Sequence, residues 1–136
     1  MTDFRHMKYA EKANEILYNH NQIYGRIAKV PGGEFYGTIW ENIEVFMHGC
    51  DFGICIYADD SKPDLEGNER DKMNPNVSIE VGYMLGLQKK ICFLKHDSIA
   101  KLPSDFSGVN YLPFSDEHSL EVVLIGWLKN RGFIEK

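Results

Sequence analysis

Between residues 8 and 21, apolar side chains return at Ala10, Ala13, Ile16 and Leu17, with Ile23 just beyond. Glu11, Lys12 and Glu15 take the positions between them. That spacing follows the 3.6-residue period of an α-helix with one wet face. Gly25 is expected to stop the helix, and Arg26-Ile-Ala-Lys-Val30 reads as a short strand closed by Pro31-Gly-Gly. Helical spacing resumes over residues 38–48, where Ile39, Trp40, Ile43, Phe46 and Met47 form a stripe and Gly49 offers a C-terminal cap. Phe52-Gly-Ile-Cys-Ile-Tyr57 is different. It is nearly continuous apolar sequence, the pattern of a strand buried on both faces of a parallel sheet.

Residues 59–73 are polar and rich in turn formers, which predicts an exposed loop. Asn74-Pro75 then makes a good helix start, with Asn as the cap and Pro at the first helical position. This helix is expected to run to about Gln88, and Lys90-Ile-Cys-Phe-Leu94 is the next buried strand. A loop through Leu102-Pro-Ser-Asp-Phe-Ser-Gly108 leads to a short strand over residues 109–112. Ser115 or Asp116 caps a last helix with the stripe Leu120, Val123, Leu124, Trp127 and Leu128, ended by Gly132. Strands alternating with helices predict an α/β domain with a doubly wound parallel sheet. The whole chain, 1–136, reads as one such domain. Its front does not fit, because Met1 to Met7 contains no apolar run. The central first strand is expected to be truncated, or supplied from elsewhere.

Composition narrows the function. A net charge of −5 over 136 residues disfavours a nucleic-acid polymer, which calls for a basic stripe. A small nucleotide needs no such surface, since backbone amides and helix ends can hold it. Cys50, Cys55 and Cys92 are odd in number and widely spaced, without Cys-x-x-Cys, so neither a zinc knuckle nor a redox pair is indicated. Cys55 and Cys92 lie in apolar runs, where cysteine acts as a small buried hydrophobe. With no leader sequence and no apolar stretch of spanning length, the expectation is a cytoplasmic protein without membrane contact.

Glu80 is the leading candidate for chemistry. Three and four positions from it on the predicted helix stand Asn76, Val77, Tyr83 and Met84, and Val81 follows it. It therefore shares the apolar side of the helix, with no Lys or Arg at salt-bridge spacing. Burial opposes its charge while the nearby helix N-terminus favours it, a conflict common at catalytic carboxylates. Structural ion pairs produce similar settings, and on the residue pattern alone the two readings stand about even. Gly82 and Gly86, four apart, suggest close approach of this helix to the sheet or to a ligand.

Ligands of open parallel sheets gather beyond the carboxyl ends of the strands. Asp59 and Asp60 follow one such strand, and Ser104 and Asp105 follow the next. Asp51, at the opposite end of its strand, is a turn residue. Lys89-Lys90 reads as a solvated helix end. The stretch Pro31 to Gly37 lacks the features of a P-loop or a dinucleotide fingerprint. The five histidines show no metal-ligand spacing, and no nucleophile elbow is present.

At Asn74 to Gly86 (NPNVSIEVGYMLG), followed by Lys89-Lys-Ile-Cys-Phe-Leu94, the chain resembles bacterial TIR-like nucleotide-binding domains. It is similar also to nucleoside 2-deoxyribosyltransferase-like proteins. Trp40-Glu-Asn-Ile43 and His48-Gly-Cys-Asp-Phe-Gly-Ile54 look like the helix and strand that precede this motif in the family. Leu102-Pro-Ser-Asp-Phe-Ser-Gly108 resembles the loop that follows it. The resemblance runs from about Gly25 to Phe114.

It implies a flavodoxin-like sheet of order 2-1-3-4-5 and a nucleotide or nucleoside, with NAD as one possibility, as substrate rather than as cofactor. It also implies that Glu80 acts at the anomeric carbon of a ribose, breaking or exchanging an N-glycosidic bond. Asn76, Asp59, Asp60, Ser104 and Asp105 become expected pocket residues, with Arg5 and His6 at the end of the shortened first strand. Two further readings follow from the same resemblance. One is a nucleoside 2-deoxyribosyltransferase. The other is a non-catalytic module that binds a nucleotide or self-associates, and an incomplete sheet with open edges favours a homo-oligomer.

Overall fold

The computed structural model describes residues 7–20, 22–27, 39–58, 75–99 and 110–135. Within them lie α1 (Met7–Asn19), α2 (Ile39–Gly49), β1 (Phe52–Tyr57), α3 (Pro75–Gly86), β2 (Lys90–His96), β3 (Leu112–Phe114) and α4 (Glu117–Asn130). The three strands form a parallel sheet of order β1-β2-β3, with Ile54 opposite Cys92, Cys55 opposite Phe93, and Leu94 opposite Leu112. This is an open α/β sheet compatible with a flavodoxin-like fold. The expected strand at 26–30 is irregular at Arg26 and Ile27, and its remainder lies outside the described residues. So does the expected truncation at the front of the chain, as far as residue 6.

The near-continuous apolar strands divide their side chains between two helical layers, as a period of two requires. Ile56, Cys92 and Leu94 pack with Ala13, Ile16 and Leu17 of α1 and with Leu120, Leu124 and Leu128 of α4. Cys55, Tyr57 and Phe93 face the other way, against Val77 and Val81 of α3. Ile43 and Met47 of α2 join that second layer through Met84. Sequence periodicity thus predicted Ala10, Ala13, Ile16 and Leu17 of α1 and Leu120, Leu124 and Leu128 of α4, while Ile23, Val123 and Trp127 are only partly buried. It overlooked Tyr9, which is buried and meets Phe114 edge-on at 5.0 Å between ring centres. In α2 the agreement is partial. Ile43 and Met47 are buried, whereas Phe46 is 40% exposed.

Helix ends correct several expectations. α1 stops at Asn19, well before Gly25, because Gln22 adopts φ 54° and the chain folds back, Gln22 N–H donating to the Tyr18 carbonyl and Ile23 N–H to that of Leu17. Gly25 has another role. A Cβ there would meet the Asn14 side-chain amide oxygen at 1.9 Å, so the segment lies against α1 closely enough that Asn14 would have to turn aside. α3 ends at Gly86, two residues before the predicted end, with Gln88 at φ 60° and Lys89 N–H donating to the Met84 carbonyl. Gly49 is the last residue of α2 and does not turn left-handed. Gly132 does, at φ 76°, and closes α4 as its place after the last stripe residue predicted.

Of the two proposed caps for α4, Asp116 is the one used. Its carboxylate accepts from Ser119 N–H at 2.7 Å, while Ser119 Oγ accepts from Asp116 N–H at 3.0 Å. The hydrogen bond from the Ser119 backbone holds the Asp116 carboxyl below its ordinary value. A lowered folded-state value lends stability above the unfolded-state value, and this is lost as pH falls through the folded one. Asp116→Asn caps almost as well without titrating. The variant is expected to match wild type in melting temperature at pH 7 and to lose less between pH 4 and pH 2. Parallel curves would show that the cap contributes nothing to the acid limb.

Candidate functional site

α3 follows β1, so its first turns stand at the carboxyl edge of the sheet. Along it Val77, Val81 and Met84 are all but fully buried, and Glu80, on the same stripe, is only 2% exposed. The neighbouring Ile79 and Leu85 are exposed instead. The helical arithmetic that put Glu80 on the apolar side therefore holds. Beneath it lies β1: burial drives the Cys55 thiol up to about 12, and the Glu80 charge adds to the shift. Gly82 and Gly86 do not explain this closeness. Both are exposed, and a Cβ built on either meets nothing within 4 Å, so the expected close approach at these glycines is absent.

Glu80 also lines a half-open cavity of about 510 Å³. Its walls come from Ala13 and Leu17 of α1, Ile43 and Met47 of α2, and Phe52, Gly53, Ile54 and Ile56 of β1; Tyr24 and Arg26 line it as well. No β2 residue lines it, so it runs along the side of β1 away from β2. Arg26 stands 5.9 Å from the centre of the Phe46 ring, which also borders the space. The cavity is mostly apolar, with a carboxylate in its wall. At 2% exposure the carboxylate itself is shielded from bulk solvent, a setting that strengthens the field of a fixed charge.

One turn beyond Glu80, Tyr83 ties α3 to α2. Its hydroxyl donates to Glu44 Oε1 at 2.8 Å and lies 2.8 Å from His48 Nε2. The bond to the Glu44 carboxylate raises the Tyr83 hydroxyl above its ordinary value. Lys89 completes the tie, donating to the carbonyls of His48 at 3.0 Å and Cys50 at 2.8 Å. It is thus a bracing residue and not part of a solvated helix end, while Lys90 is exposed at the start of β2. These partners are separated by 35 to 41 positions, and no local pattern marks them.

Of the other expected pocket residues, Asp59, Asp60, Ser104, Asp105, Arg5 and His6 lie outside the described residues. Asn76 belongs to the first turn of α3, but its side chain is outside what the structure describes. Asp51 is exposed in the bend before β1, as a turn residue should be. Sequence reasoning passed over a second buried charge, Lys95, which is 8% exposed near the end of β2. The signal was present: β2 continues two residues past its predicted end, and period two from Phe93 puts Lys95 on the α3 side.

Cys55 and Cys92 are 0% exposed, and burial pushes both thiols up to about 12. Cys50 is half-buried, donates to the Met47 carbonyl at 3.3 Å, and is raised chiefly by burial. An aromatic disulfide reagent is therefore expected to label Cys50 in the folded protein and the other two about a thousandfold more slowly or worse, through unfolding. Equal labelling of all three would show a sheet that opens without unfolding. Among the described residues no group of His, Cys, Asp and Glu is arranged to hold a metal ion. No helix among them is long and apolar enough to cross a membrane.

Residues 5–116 match the family described as CAP12/Pycsar effector protein, TIR domain. Comparison with curated proteins and with solved structures gave no match.

Proposed function

Because the chain belongs to the CAP12/Pycsar effector TIR-domain family, we propose that it cleaves the N-glycosidic bond between ribose and nicotinamide in NAD, with Glu80 as the catalytic carboxylate. The observation that carries this reading is a carboxylate 2% exposed on the apolar stripe of α3 and in the wall of a cavity. The bond breaks through an oxocarbenium-like state whose positive charge a nearby carboxylate stabilises or traps. Nicotinamide in NAD is already cationic, so it leaves as a neutral molecule without needing a general acid. Water then takes the anomeric carbon and gives ADP-ribose and a proton. Asn76, Asp59, Asp60, Ser104, Asp105, Arg5 and His6 are the further residues we assign to the pocket. The sheet we propose has the order 2-1-3-4-5.

Given the family's effector role, the proposed reaction would serve bacterial defence; we further propose that it runs in the cytoplasm, within a self-associating assembly. Incubation at high protein concentration with NAD, and separately with deoxynucleosides, tests it. Nicotinamide appearing in the first is the expected result. Free base appearing only in the second would replace the reading with deoxyribosyl transfer. Binding of a labelled nucleotide without any release would make the domain a binding module.

A further inference from the structure

Lys95 is the penultimate residue of β2, and its register partner Tyr57 is the last residue of β1. Both are buried, so the ammonium sits at the carboxyl edge of the sheet, on the side covered by α3. Its Nζ donates to the Ile99 carbonyl and stands 5.0 Å from the centre of the Tyr111 ring. Among the described residues no carboxylate pairs with it. An ammonium carries three donors, and a carbonyl and a ring face leave it without a counter-charge. A buried charge so placed is costly unless an anion joins it. Two features admit one. Tyr111, which covers the ammonium, is 44% exposed, and Val77 in the first turns of α3 packs in the same cluster as Tyr57 and Ile99. The N-terminal end of α3, favourable to negative charge, is therefore adjacent.

We propose that Lys95, with Tyr111 over it, is an anion subsite that takes a phosphate oxygen of a nucleotide. The inference rests on the reading of Glu80 as acting on a ribose, and it assigns the side chain that holds a phosphate of that substrate. Lys95 does not line the Glu80 cavity. It lies across the end of β1 from it: Tyr57 is two residues beyond Cys55, about 7 Å along the strand, and β2 is about 5 Å to the side. A ligand reaching both has its sugar at Glu80 and its phosphates over the carboxyl end of β1.

Binding measurements with ADP, inorganic pyrophosphate and adenosine test the subsite without relying on catalysis. ADP is expected to bind wild type at least about tenfold more tightly than adenosine, the scale of one charge-assisted hydrogen bond. Lys95→Met, which keeps the apolar stem, should abolish that difference, and Lys95→Arg should keep part of it. In amide NMR spectra of wild type, ADP should move Ile99 and Tyr111, a readout that survives if Lys95→Met does not fold. Unchanged ADP affinity in a folded Lys95→Met, or no shift at Ile99 and Tyr111, would overturn the subsite and leave Lys95 as a clasp for the Ile99 carbonyl. Equal affinity for pyrophosphate and ADP would overturn the nucleotide assignment. Failure of the proposed reaction reads differently: NAD stays intact while ADP still binds through Lys95.

Discussion

Glu80→Gln is expected to lower nicotinamide release from NAD by about a thousandfold or more, the scale found when a group facing developing charge is removed. Glutamine has the volume of glutamate and keeps a carbonyl acceptor, so no hole opens beneath α3. What it loses is the negative charge. Since that charge matters most when the ribose becomes cationic, the fall should lie in kcat with little change in KM. Circular dichroism and heat unfolding show whether the variant remains folded. A folded Glu80→Gln that releases nicotinamide at the wild-type rate would remove Glu80 from the reaction. The substitution leaves the tie from Tyr83 to Glu44 and His48 in place, so the helix that carries position 80 keeps its anchor to α2.

Leu124→Ala should cost about 3 kcal/mol of stability, within the range for a leucine truncated in a packed core. Leu124 is 0% exposed, midway along the stripe by which α4 meets α1 and the sheet. Few of its neighbours can move into the space, because Leu120 and Leu128 above and below it are themselves fully enclosed. For a domain of this size the loss corresponds to a fall in melting temperature of about 10 °C. Val122→Ala on the same helix is the control. Val122 is 57% exposed, and its truncation should change stability by no more than about 0.5 kcal/mol. Similar losses at both positions would mean that α4 is not seated on the core as described.

Glu80 was legible early because helical periodicity is local. Val77, Val81 and Met84 mark a buried stripe, and a glutamate on that stripe stands out without knowledge of what the helix covers. The same logic identified the α1 and α4 stripes, and local cap chemistry gave the Gly132 stop and narrowed the α4 cap to Ser115 or Asp116, of which the structure uses Asp116. It failed at Gly82 and Gly86, since glycine is compatible with close approach but does not require it. It also failed at the end of α1, where Gln22 turns left-handed in a place where glycine was the natural expectation.

The sequence by itself determined the alternation of helices and parallel strands, the two-sided burial of β1 and β2, and the side of α3 on which Glu80 lies. Each follows from a repeat of two or 3.6 residues, readable within one segment. Only the tertiary structure decided what surrounds that carboxylate: a cavity along β1, the thiol of Cys55, and the Tyr83 tie to α2. Lys95 belongs with these, because alternation could place it on a face but not show that it donates to the Ile99 carbonyl, with no carboxylate beside it among the described residues. Such contacts join segments far apart in the chain, and their geometry is set by packing rather than by any local period.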